Sequence, residues 1–174
     1  MISLATHFAD ILSLHSPSYL AGVININRPP FFGPSFPRFI TPAIGEVISH
    51  LRRPSDVNAY QKWALRFIDL CADDMPYHLR QMCLGDVMVQ PRIVTRHMLS
   101  RPQDGNGLLA AIHDFGLPML LVLGQDDKIT NVKELAEYVQ EWKSCTIVKL
   151  SGADHTPWIR HPDLFRETVL NWIG

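Results

Sequence analysis

The sequence predicts an α/β protein built on a short parallel sheet, and three observations carry that reading. Residues 117–123 form an unbroken apolar run, Leu-Pro-Met-Leu-Leu-Val-Leu, that ends at Gly124. A run of this kind suits a parallel strand buried on both faces. Behind it the periodicity alternates, helical over 132–142, strand-like over 145–150 and helical again over 162–173. Strand, helix, strand and helix at that spacing make a parallel crossover unit. Ahead of it, residues 43–115 carry only helical signals, interrupted at Pro54, Pro76, Pro91 and Pro102.

The elements follow in chain order. Met1, Leu4, Ala5, Phe8, Ile11 and Leu12 recur at helical spacing, so 1–14 reads as an amphipathic helix stopped by Pro17, with no capping residue ahead of Met1. Residues 19–26 read as a short buried strand, with Val23, Ile24 and Ile26 β-branched. Pro29, Pro30, Pro34, Pro37 and Pro42 make 29–42 a loop. Phe31, Phe32, Phe36 and Phe39 are interleaved in it. They either tack the loop onto a core, which is the preferred reading, or line an apolar pocket. Helices follow over 43–51, 56–71, 77–87, 92–99 and 108–115. Pro54-Ser55-Asp56 and Asp74-Met75-Pro76 are the helix starts, because Asp and Pro suit the first turn. Trp63, Phe67 and Leu70 share one helix face, and core packing is the preferred reading of that stripe. Pro162 opens the closing helix, where a missing N–H costs nothing.

Composition narrows the function. The chain has 174 residues, a net charge of −1, 47% hydrophobic and 19% charged residues, which is a globular balance with enough chain for a core. The near-zero charge speaks against nucleic acid as a partner. No apolar run approaches the ~20 residues of a membrane span. The N-terminus has no basic region, and His7 and Asp10 interrupt its apolar stretch, so no signal peptide is expected. Cys71, Cys83 and Cys145 are widely spaced and read as reduced thiols, which points to the cytoplasm. His155 and His161 lie off the i, i+4 spacing of helical zinc ligands, and neither a metal nor a cofactor is expected.

Chemistry is expected at the carboxyl ends of the parallel strands. Gly124-Gln125-Asp126-Asp127 follows the first C-terminal strand and Gly152-Ala153-Asp154-His155 follows the second. Neighbouring strands lie about 5 Å apart, so an acid from one loop would reach a histidine in the other. An acid that binds one imidazole nitrogen fixes the tautomer and leaves the other nitrogen as a base. Taken singly, Asp126 and Asp127 also read as turn residues and His155 as a loop histidine. Together, in loops that follow successive strands, the pattern is far more specific.

This string, from Leu117 through Asp127 to Leu150-Ser-Gly-Ala-Asp-His-Thr-Pro-Trp158 and the closing helix, resembles the C-terminal end of an α/β-hydrolase. The resemblance implies an incomplete α/β-hydrolase fold of about three parallel strands with flanking helices and a helical cap. Residues 1–28 and 116–174 would form the partial core, and 29–115 the connecting loop and cap. It implies Asp127 as the catalytic acid, with Asp126 the competing choice, and His155 as the base. The family's nucleophile sits on a Gly-x-Ser-x-Gly elbow, and no serine in this chain has that flanking pattern. Residues 1–26 resemble the segment just behind the elbow. The resemblance therefore implies the C-terminal part of a serine-type hydrolase, of the esterase/lipase, epoxide hydrolase or haloperoxidase-like kind, weak or inactive alone.

Phe31, Phe32 and Trp158 are the candidates for contact with a small apolar substrate; Trp158 reads equally well as packing onto the closing helix. An exposed sheet edge at Val23, Ile24 and Ile26 would favour self-association. The rival reading is a non-catalytic relative that binds a small ligand or a partner. A third, with Cys71, Cys83 or Ser151 as nucleophile, lacks the strand-to-helix elbow such a residue needs.

Overall fold

A computed structural model of the chain describes residues 20–31, 33–100 and 103–174. The helix expected over 1–14, Phe32 and the Arg101-Pro102 step lie outside the described residues. The elements run β1 (Val23–Ile26), a 3₁₀ turn (Phe36–Phe39), α1 (Pro42–Arg52), α2 (Val57–Cys71), α3 (Tyr77–Val89), α4 (Arg92–Ser100), α5 (Asn106–His113), β2 (Met119–Gly124), α6 (Val132–Val139), β3 (Cys145–Leu150), α7 (Pro157–Arg160) and α8 (Pro162–Ile173). Among the described residues the sheet has three parallel strands in the order β1-β2-β3. Val23 pairs with Met119 and Met119 with Cys145, so the strands begin in step and their carboxyl ends face the same way.

β2 is buried along its whole length, as its apolar run requires. Its side chains alternate between faces. Met119, Leu121 and Leu123 enter a core with Phe31, Phe39, Leu108, Ile112, Leu135, Val139 and Trp142. Leu120 and Val122 enter a second core with Leu150, Ala153, Phe165 and Trp172. Helices α5 and α6 thus cover one face and α8 the other, the layering of an α/β protein. Each fully buried Leu or Val side chain contributes about 1.5–3 kcal/mol, which makes β2 the mechanical centre of the fold.

β1 is shorter and less buried than its strand pattern suggests, in keeping with the sheet edge expected at Val23, Ile24 and Ile26. It spans Val23–Ile26, with Ile24 37% exposed. The reason is its position: among the described residues it pairs with β2 on one side only.

Helices α1–α4 build a separate apolar cluster around Ile44, Val47, Leu51, Tyr60, Ala64 and Leu70, with Trp63 and Phe67 packed against it. Two of the helices start on side-chain caps, Thr41 for α1 and Asp56 for α2, so Pro54-Ser55-Asp56 does mark a start. Ile129, from the turn after β2, belongs to this cluster. Ile129 is thus one of the contacts that join the helical layer to the sheet's carboxyl edge.

Candidate active site

The turn after β2 is shaped by Gly124. A Cβ on this residue would lie 2.2 Å from the Asp154 carbonyl oxygen and 2.6 Å from that of Ala153. Only glycine lets the 153–154 backbone cross so close to the end of β2. Gln125 N–H then donates to Leu150 O and Asp126 N–H to Ala153 O. These bonds lash the two loops together. In the second loop Gly152 sits at φ +70°, a left-handed conformation that favours glycine. The two glycines of the motif therefore have separate physical causes, close approach for one and backbone hand for the other.

Asp127 and His155 meet where the loops converge. Asp127 Oδ2 lies 2.8 Å from His155 Nδ1. The Asp127 side chain is fully buried and that of His155 only 11% exposed. Asp127 Oδ1 accepts from the backbone N–H of Ile129 at 2.7 Å and of Thr130 at 2.9 Å. A carboxylate held by three nitrogen contacts requires the imidazole to present Nδ1–H. Nε2 is then the basic nitrogen, and His155 lines a cavity. Asp126 is exposed and its backbone N–H goes to Ala153, so Asp127 is the acid that reaches the ring.

The cavity holds about 260 Å³ and lies between the helical layer and the strand ends. Ile44, Ile48, Leu51 and Phe67 supply its apolar wall, Phe36 and Ile40 come from the approach loop, and Gln90 and Thr95 add polar atoms. An apolar wall with a few polar groups is the usual make-up of a small-molecule site. The loop aromatics divide. Phe36 lines the cavity, whereas Phe31 is buried with Phe39 in the core under β2 and is not among the cavity-lining residues. Trp158 is 46% exposed and packs on Phe165 of α8 at 5.9 Å between ring centroids.

Two polar residues beside the pair were not assigned a role in the sequence. Asp154 is buried, with Oδ1 accepting from Thr156 N–H and Oδ2 from Asp73 N–H at 3.1 Å. Thr156 Oγ1 donates to Cys71 O. The carboxyl end of α2 is thereby docked on the histidine loop, and the Lys128–Asp73 ion pair docks it on the acid turn as well. Asn27, at the end of β1, is fully buried with φ 52°. Its signal was an asparagine ending a β-branched strand, a residue type that tolerates the left-handed region. Cys71 is a poor nucleophile here. Burial, aided by the Asp127 charge, pushes its thiol up to about 12, so it is protonated at neutral pH. Among the described residues no group of three His, Cys, Asp or Glu side chains is placed to hold a metal ion. No helix among them is long and apolar enough to cross a membrane.

No protein-family model and no curated protein sequence matches the chain. Solved structures do. An esterase from Rhodococcus sp. ECU1013, RhEst1, matches over 97% of this chain and 61% of its own, at 17% identity and a TM-score of 0.78. Carboxylesterase CesB from Bacillus subtilis matches over 98% of this chain and 57% of its own, at 17% identity and a TM-score of 0.66. MGS-M2, an α/β-hydrolase enzyme from a Medee basin deep-sea metagenome library, matches over 99% of this chain and 61% of its own, at 14% identity and a TM-score of 0.64. The fold is thus that of an α/β-hydrolase, represented by its C-terminal portion. The chain spans about three fifths of the length of these structures.

Proposed function

We propose that this chain carries the acid and base of a serine-type hydrolase for esters or related small apolar substrates. The observation that carries the reading is the 2.8 Å contact between buried Asp127 and His155 at the edge of an apolar cavity. In this reading His155 Nε2 takes the proton of a hydroxyl nucleophile as that oxygen attacks the acyl carbon, then returns it to the leaving alcohol. Asp127 holds the Nδ1–H tautomer and stabilises the imidazolium formed in between. Segment 29–115 acts as loop and cap, with Ile44, Ile48, Leu51 and Phe67 shaping the acyl or alcohol site.

The nucleophile is not supplied by any Gly-x-Ser-x-Gly in these 174 residues. A triad without its nucleophile keeps only a small residue of its rate. The chain alone is therefore a weak hydrolase. Its setting in this reading is the cytoplasm. The same absence supports a second reading, a ligand-binding protein that uses the cavity without chemistry. Hydrolysis of p-nitrophenyl acetate and labelling by a fluorophosphonate probe test the proposal. Slow turnover that falls in His155→Ala, with no labelled serine, is the expected result. Turnover unaffected by His155→Ala would overturn the role of the base, and a labelled serine would overturn the missing nucleophile.

A further inference from the structure

A side chain just past the end of β1 bonds the end of β2 and the loop after β3. Asn27 Nδ2 donates to the carbonyl oxygens of Asp154 at 2.9 Å and His155 at 3.0 Å. Its Oδ1 accepts from Gly124 N–H at 2.7 Å. Both amide hydrogens and the amide oxygen are therefore engaged. Its backbone is engaged too, with N–H donating to Val122 O and the carbonyl accepting from Thr130 Oγ1. Asn27 is fully buried, so none of these groups has water as a substitute.

We infer that Asn27 is a positioning residue that sets the distance between His155 and Asp127. This rests on the reading of those two as an acid–base pair. Asn27 acts on both partners. The two Nδ2 bonds fix the main chain of the histidine loop at His155 itself. The carbonyl bond fixes Thr130, whose backbone N–H holds Asp127 Oδ1. The Oδ1 bond fixes Gly124, where the acid turn begins. The Asn27 side chain thus bonds both the histidine loop and the end of β2, where the acid turn begins. Asparagine also suits the site conformationally, because φ 52° is tolerated by Asn far better than by most side chains. Aspartate would keep the acceptor for Gly124 but has no N–H for the two carbonyls. Glycine would keep the backbone and lose every side-chain bond.

The test is nitrogen-detected NMR of the His155 ring in the full 174-residue chain. In the unaltered chain the Nδ1 proton is expected in a slowly exchanging hydrogen bond. In Asn27→Gly and Asn27→Asp that proton exchanges about tenfold faster or broadens away, as loss of three and two buried hydrogen bonds respectively predicts. A core truncation on α6, Val139→Ala, separates this from general instability, and it leaves the His155 signal in place. Retention of the signal in both folded Asn27 variants overturns the inference. So does failure of both to fold while Val139→Ala folds, since Asn27 would then serve stability alone. If the unaltered chain shows no Nδ1 proton, the acid–base reading falls with it. A signal present there but indifferent to Asn27 removes this inference only.

Discussion

His155 Nδ1 sits 2.8 Å from Asp127 Oδ2 although the two lie 28 positions apart in sequence, with a complete helix between them. The contact depends on β2 and β3 being neighbours whose carboxyl ends are in step. It leaves Asp127 as the acceptor for three nitrogens in a dry site. Removing the carboxylate leaves the Ile129 and Thr130 N–H groups without an acceptor. Asp127→Ala is expected to lower unfolding free energy by about 3 kcal/mol, read from urea titration. A loss below about 0.5 kcal/mol would mean that these bonds do not hold the turn.

Gly124 and Gly152 are expected to respond differently to alanine. At Gly124 the added methyl meets two backbone carbonyl oxygens, and no flexible side chain can give way. The histidine loop must move, and a cost of about 3 kcal/mol or more follows. At Gly152 the nearest atom to an added Cβ is 3.7 Å away, so the cost is conformational alone, about 1–2 kcal/mol. Urea unfolding of the two variants side by side checks the order. An equal or reversed order would contradict the crossing of the loops.

The cavity wall makes a binding prediction. Ile48 is half-buried and lines the space beside His155's loop. Ile48→Trp fills part of about 260 Å³ with an indole. Titration with p-nitrophenol, followed by the His155 ring signals, is expected to show saturable shifts in the unaltered chain. The affinity in Ile48→Trp should fall about tenfold, the effect of roughly 1.4 kcal/mol of lost contact. Unchanged affinity would place the ligand elsewhere.

Cys71 gives a pH dependence of defined sign. Its thiol is pushed up from 9.0 to about 12 by burial. Above pH 9 the unfolded chain loses this proton and the folded chain keeps it, so the folded state binds more protons. Stability is then complete below pH 9 and falls as pH rises toward the folded value. At pH 10 the loss from this one group is about 1.4 kcal/mol. The difference between the unaltered chain and Cys71→Ala in urea unfolding at pH 8 and pH 10 isolates it. In native buffer at pH 8, Cys71 is expected to resist iodoacetamide and to react once the chain is unfolded. Rapid native alkylation would contradict its burial.

Much of this was legible in the sequence because it rests on local signals. The apolar run of β2, the span Cys145–Leu150 of β3 and the Pro-led α8 each advertise themselves within a few residues. Two glycine-led turns after neighbouring strands carried the Asp127–His155 pairing, which explains why residues 28 positions apart were legible as partners. What stayed hidden depends on contacts remote in sequence. Phe31 and Phe36 look alike in a proline-rich loop, yet one packs under β2 and the other lines the cavity. The choice is made by α5 and by the helical layer, not by neighbouring residues. The role of Asn27 stayed hidden for the same reason, since its side-chain partners lie 97 to 128 residues away. The partial exposure of β1 was legible only through the resemblance, which implied an open sheet edge at Val23, Ile24 and Ile26; the strand pattern alone reads as buried.

The measurement that bears most directly on the Asp127–His155 pair is the tautomer of the His155 ring, read by long-range nitrogen–proton correlation in the full chain at neutral pH. The account predicts a proton on Nδ1 and a bare Nε2, with the Nδ1 proton lost to fast exchange in Asp127→Ala. A ring protonated on Nε2, or an Nδ1 proton that persists unchanged in Asp127→Ala, would contradict it.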